Sequence, residues 1–242
     1  MSGLLGIGGG IVMFPLLLYL PPMFGLDPVS VKQITGLTMV QGLFASLSAI
    51  FLYHQQRLVS RSLVLTLGLS LFASSLAGSF ASALVPDKPL LFVFGLLALC
   101  AAVLMLLPRN YGRDDLTEEQ VRFSRPLAVS IGIVTGFFIG LVGQGGAFIT
   151  IPLMLYVLRI PLRVALGSTL AIGLFSATAG SVGKIATGQV PFLYALPLIL
   201  AAVPAARLGG IVGKRTDTRV LKWLLAALVA GSALKIWSDI FR

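Results

Sequence analysis

The sequence predicts an all-α integral membrane protein built from two inverted repeats, each a glycine-turn re-entrant or broken helix hairpin followed by three transmembrane helices. Three observations predict it. Hydrophobic residues make up 57% of the 242 and charged ones 11%, with a mean hydropathy of +1.00, far from the composition of soluble domains. Apolar runs recur at lengths close to the ~20 residues that a helix needs to cross the hydrocarbon. Finally, one stretch is written twice: residues 6–19 read GIGGGIVMFPLLLY, and residues 143–156 read GQGGAFITIPLMLY.

The first copy opens on Gly6, Gly8, Gly9, Pro15, Leu16, Leu18 and Tyr19, which recur at an offset of 137 as Gly143, Gly145, Gly146, Pro152, Leu153, Leu155 and Tyr156. Its next run, 34–53, carries Gly36, Thr38, Gly42, Leu43 and Phe44, which recur at an offset of 131 as Gly167, Thr169, Gly173, Leu174 and Phe175 in the run 165–182. The difference of six is an insertion in the first copy's loop around PPMFGLDP. Runs 62–85 and 90–107 complete the first copy, and 190–206 and 221–236 the second. Lipid satisfies no backbone N–H or C=O, and no run alternates apolar with polar residues, so helices are predicted over barrel strands. Residues 1–107 form the first repeat, the polar stretch 108–126 a linker, and 127–242 the second repeat, all within one membrane domain. Thr117 and Gln120 form a capping-box pattern inside the linker. The N-terminus lacks the basic region of a signal peptide, so cleavage is not expected. Five residues precede Gly6 where the second copy has 127–142, which leaves open a start further upstream or a shortened first hairpin.

Segments 127–142 and 147–158, separated by GQGG, are together too long for one upright span. Were they one broken crossing helix, the repeats would share an orientation and the eighteen Lys and Arg would divide nine and nine between the sides. As a hairpin that returns to its own side, each copy crosses three further times and the copies are inverted. The loops around 57–61, 109–125, 159–163 and 207–222 then hold thirteen basic residues, leaving five, Lys32, Lys88, Lys184, Lys235 and Arg242, on the other side. Because Lys and Arg concentrate in short cytoplasmic loops, the hairpin layout is predicted, with six full crossings, a cytoplasmic linker and both termini outside.

Each glycine turn precedes a helix whose free N–H groups and positive dipole end point into the membrane, an arrangement that binds anions. Gly8, Gly9 and Gly10 in one turn, with Gly145 and Gly146 in the other, let the backbone itself approach a ligand. Glycines also serve close helix packing, and Pro15 and Pro152 also serve as ordinary kinks; recurrence at one place in both copies favours the binding reading. Gln144 replaces Ile7 and offers an amide, either to an anion or to a neighbouring helix. Thr38, Thr169 and Ser168 can complete the cage or bond back to their own helices. Gln41 and Gln33 are weaker candidates on the first copy's helix, and Lys184, at a helix end, is expected to snorkel to the surface.

Asp27, Asp87, Asp114, Asp115, Glu118, Glu119, Asp217 and Asp239 all fall in loops or near termini, and His54 at a helix end. Proton relays usually rest on ionisable groups within the membrane, so coupling would need His54, an edge acid or a proton carried on the substrate. Cys100 stands alone in an apolar run and reads as a packed core residue. The net charge of +10 is spread singly between spans, unlike a nucleic-acid-binding face. With no metal cluster, nucleophile triad or Walker loop, neither enzymatic activity nor a cofactor is expected.

The twin motifs GIGGG…P at 6–15 and GQGGA…P at 143–152 resemble those of the TauE/SafE sulfite and sulfonate exporter family, also called the toluene sulfonate uptake permease family. The resemblance covers nearly the whole chain; Ile7 opposite Gln144, Gly10 opposite Ala147 and the absent leading arm depart from strict duplication. It implies a permease of the bacterial inner membrane for small sulfur-containing anions such as sulfite or sulfonates, with self-association open. A passive anion channel or uniporter is the alternative.

Overall fold

The computed structural model describes residues 10–25, 27–54, 60–106, 123–143, 147–216 and 218–240. Gly8, Gly9, Gln144, Gly145, Gly146 and the greater part of the expected linker lie outside them. Among the described residues there are nine α-helices and no strand: α1 (Gly10–Met23), α2 (Val31–His54), α3 (Arg61–Leu84), α4 (Asp87–Leu106), α5 (Arg125–Val142), α6 (Ala147–Tyr156), α7 (Leu162–Ala186), α8 (Phe192–Arg215) and α9 (Thr218–Ile240). Every apolar run of the sequence is helical along most of its length. The recurring residues of the sequence fall on α1 and α6 and on α2 and α7, and chain order then sets α3 opposite α8 and α4 opposite α9 as counterparts.

The packing is built on small residues. α5 lays Gly132, Gly136 and Gly140 along α3, where a side chain at Gly140 would overlap the Ser75 carbonyl. Such spacing lets two helix backbones approach closely and contributes dispersion contacts that lipid cannot match. Ser74 Oγ donates across this seam to Gly132 O at 3.1 Å. Ser75 Oγ donates to Ser176 O of α7 at 3.1 Å, and Ser60 N to Ser168 Oγ at 3.1 Å. These contacts make α3, α5 and α7 run parallel, starting at one end of the bundle and finishing at the other.

α2 runs against them. Its first turn meets the last turn of α7, with Lys184 Nζ 2.8 Å from Thr35 Oγ1, and Met39 fills the space beside Gly180. α8 follows α2, with Ser48 Oγ donating to Val203 O at 2.9 Å. The contact of α3 with α7 therefore has its repeat counterpart in the contact of α8 with α2. Likewise α4 meets its counterpart α9, where Trp237 Nε1 donates to Gly95 O at 3.1 Å. The start of α2 is pinned at the α3–α4 corner: Val31 N donates to Asp87 Oδ2 at 3.0 Å, and Lys32 Nζ to Ala83 O at 2.8 Å. A carboxylate at a helix N-terminus and an ammonium at a C-terminus both complement the local dipole.

Five helices, α3, α4, α5, α7 and α8, are long and apolar enough to cross a membrane. Of the expected crossings α3, α4, α7 and α8 are among these five, and α5 is a further helix of that length. α2 buries Thr35, Thr38, Gln41, Ser46 and Ser48 among other helices, which places it at the centre of the bundle. α7 is the other central helix, 83% of its apolar window being buried against 17% for α8. The expected core position of Cys100 is corrected. It is exposed, on a face of α4 shared with exposed Leu96, Leu99 and Val103, which is the face an apolar residue presents to lipid.

Candidate functional site

The second glycine turn begins at Gly143, the left-handed cap of α5 with φ 76° and ψ 26°, whose N–H closes on Ile139 O. That backbone strongly favours glycine. Space demands it too, since a Cβ here would overlap the Thr35 carbonyl of α2. Thr38 Oγ1 donates to Gly143 O at 2.6 Å while also lying 2.8 Å from Ile34 O. Its single proton is committed to carbonyls, so Thr38 holds the turn in place. The start of α2 and the end of α5, 105 residues apart, thus form one polar contact.

Other sequence candidates are distributed along the bundle. Gly10 is the buried first residue of α1. Gln41, one turn beyond Thr38, is 4% exposed and its Oε1 has no partner among the described residues. Thr169 Oγ1 bonds back to Ala165 O. Ser168 is buried and accepts from Ser60 N. It precedes Lys184 by sixteen residues, about 24 Å along α7 at the usual rise, so Ser168 and Thr169 sit at the opposite end of the α2–α7 seam from Thr38. Gln33 caps its own helix: Ser30 N donates to Gln33 Oε1 at 3.2 Å and Gln33 N to Ser30 Oγ at 3.3 Å. The pattern Ser30-x-x-Gln33 was the available signal for this reciprocal cap.

The residue that sequence reasoning missed is Lys184. It does not snorkel; it is wholly buried. Its Nζ lies 2.8 Å from Thr35 Oγ1, 2.7 Å from Ser82 Oγ, 3.0 Å from Gln189 Oε1 and 3.2 Å from Leu141 O. Both hydroxyls direct their protons elsewhere, Thr35 to Lys32 O at 2.7 Å and Ser82 to Ser79 O at 2.6 Å. Four neutral acceptors face the amine, which matches a donor-only ammonium. Apart from the run 165–182 ending two residues earlier, no local sequence signal marks this; the partners come from 43 to 149 residues away, except Gln189.

A bundle of long apolar helices is the architecture of an integral membrane protein. Residues 1–236 match the family described as Sulfite exporter TauE/SafE, and the chain belongs to that family. Among similar proteins is the probable membrane transporter protein YunE of Bacillus subtilis, 26% identical over 239 residues, covering 93% of this chain and 88% of the relative. A second, the probable membrane transporter protein YjnA of the same organism, is 24% identical and covers 97% of this chain and 93% of its own. The probable membrane transporter protein MamO of Paramagnetospirillum magneticum is 34% identical over 118 residues, 46% of this chain and 18% of that one. No solved structure matches the chain.

Proposed function

We propose that the protein is a secondary transporter, a permease or exporter, of small sulfur oxyanions such as sulfite or sulfonates, residing in the bacterial inner (plasma) membrane. The anion rests between the N-termini of α1 and α6 near mid-depth, and one repeat rocks against the other to alternate access. The backbone of Gly8, Gly9 and Gly10 and that of Gly145 and Gly146 supply N–H donors and Gln144 and Gln41 supply amides; Thr38 shapes the helices from one end of the α2–α7 seam, and Ser168 and Thr169 from the other.

Inversion of the repeats is supported by α2 and α7, counterparts that pair head to tail, Thr35 against Lys184. Return of the α5–α6 pair to its own side is supported by the parallel α5 and α7, whose starts share one end. That arrangement also keeps the thirteen basic residues together on the side read as cytoplasmic.

The observation that carries the proposal concerns the two short helices. α1 has 14 residues and ends near the start of α2; α6 has 10 and ends near the start of α7. Because α2 and α7 start at opposite ends, the two short helices enter the bundle from opposite sides. At ~1.5 Å per residue they extend about 21 and 15 Å into a core of about 30 Å, so their N-termini reach similar depth. Two positive helix ends facing the interior attract an anion there.

In liposomes containing the purified protein, Gly146→Leu or Gly9→Leu should abolish saturable sulfite flux while the variant still elutes as a folded species. Flux at the unmodified rate in both variants would move the site elsewhere.

A further inference from the structure

Along the outer side of the α3–α5 seam runs an open groove of about 930 Å³. Exposed Leu65 and Leu69 of α3 and Ile133 and Val134 of α5 wall it, and Ser70, Ala73 and Ser74 line it between them. Its hydroxyls have no proton to offer a ligand: Thr66 donates to Ser62 O, Ser70 to Thr66 O and Ser74 to Ser70 O. With those protons turned back to the backbone, the lining presents hydrocarbon. Both helices are long and apolar enough to cross a membrane, so the occupant of this groove is apolar where it touches them.

The groove is one leaflet deep. Leu65 to Ala77 spans about 18 Å along α3 and Val129 to Phe138 about 14 Å along α5, against about 15 Å for half of a ~30 Å hydrocarbon core. A helix of a second copy would follow the seam through the whole core. A fatty-acyl chain ends where this groove ends, at the rings of Phe137 and Phe138, 5.8 Å apart.

Two arginines stand at the other end. Arg61 is the first residue of α3 and Arg125 the first of α5. Gly132 meets Ser70 and Gly136 meets Ser74, and the same offset of 62 sets Arg125 level with Leu63, two residues from Arg61. Each arginine precedes a groove residue, Leu65 or Val129, by one helical turn. A basic side chain so placed lays its stem along the apolar face and carries its charge to the interface. Both are exposed, and among the described residues neither has an ion-pair partner.

We propose that the groove binds an anionic phospholipid, with one acyl chain lying between α3 and α5 and the phosphate held by Arg61 and Arg125. Guanidinium groups suit phosphate oxygens because two N–H donors meet two acceptors at once. Both arginines belong to the thirteen basic residues on the side read as cytoplasmic, the leaflet whose surface carries anionic lipid. The inference does not depend on where a transported anion rests.

The test offers the delipidated protein in detergent an equimolar mixture of dioleoylphosphatidylglycerol and dioleoylphosphatidylcholine, with native mass spectrometry reading the first lipid bound. Two arginines near the interface should favour the anionic lipid about thirtyfold. Arg61→Gln combined with Arg125→Gln should bring the two lipids near parity. Ala73→Trp fills the groove and leaves the arginines, so it should weaken both lipids about tenfold, the loss expected when two methylenes leave apolar contact, while the preference stays. All three positions are exposed, and should one variant fail to fold, the other still decides. An unchanged preference in the double glutamine variant, or unchanged binding in Ala73→Trp, overturns the inference. So does glycerol phosphate competing as well as the lipid, since the chain would then count for nothing. A dimer that Ala73→Trp dissociates whatever lipid is present would give the groove to a second copy and overturn it equally.

Discussion

At one end of the α2–α7 seam Thr35 faces Lys184, with Ser82 and Gln189 completing the cluster. The positions related to these by the offset of 131 are Leu166, Tyr53, Gly213 and Leu58. In sequence, the residues of this cationic polar cluster therefore have largely apolar counterparts in the other copy. What both copies keep is different: the glycines, Pro15 and Pro152, and Thr38 and Thr169. The shared residues shape backbone, and the unshared ones carry charge and amides.

Gly143 is the position where the polar end of the seam tolerates least. Replacing it with valine forces a β-branched residue into φ 76° and drives a side chain into the Thr35 carbonyl. The expected cost is about 3 kcal/mol or more, read as loss of monodisperse protein or a large fall in melting temperature in detergent. Gly140→Ala comes next. A Cβ there meets backbone rather than a yielding side chain, so α5 must lift from α3, costing about 1–3 kcal/mol. Gly231→Ala on α9, where a Cβ meets nothing within 4 Å, provides the control and should be neutral or stabilising by up to about 1 kcal/mol.

Much of this fold was legible before any coordinates. The apolar runs gave each helix because lipid demands backbone pairing within the segment, and the offsets of 137 and 131 paired α1 with α6 and α2 with α7. Which helices lie at the centre was less legible: α2 is studded with Thr, Gln and Ser because helices enclose it, and hydropathy cannot distinguish that from a helix at the surface. Cys100 was misread for a related reason, since a run that is apolar all round does not say which face meets lipid. Lys184 was hidden more deeply. Its environment exists only where the ends of α3, α5 and α7 converge on the first turn of α2, and no local pattern encodes that meeting.

One pair of equivalent threonines separates the two copies by a smaller margin. Thr38 and Thr169 are equivalent in sequence, yet Thr38 donates across to Gly143 O while Thr169 bonds back to Ala165 O. A valine of the same shape removes the hydroxyl from either. At position 38 it strips a buried carbonyl of its partner from another helix, which costs about 1–2 kcal/mol. At position 169 the carbonyl belongs to the helix's own ladder and keeps its backbone donor, so the loss should be below about 0.5 kcal/mol. Melting temperatures of the two variants measure the difference, and equal destabilisation would mean that the two threonines serve their turns alike. Thr38→Val also loosens Gly143, so it should raise the sulfite concentration for half-maximal flux, whereas a bond that merely stapled α2 to α5 would lower stability and leave that concentration unchanged.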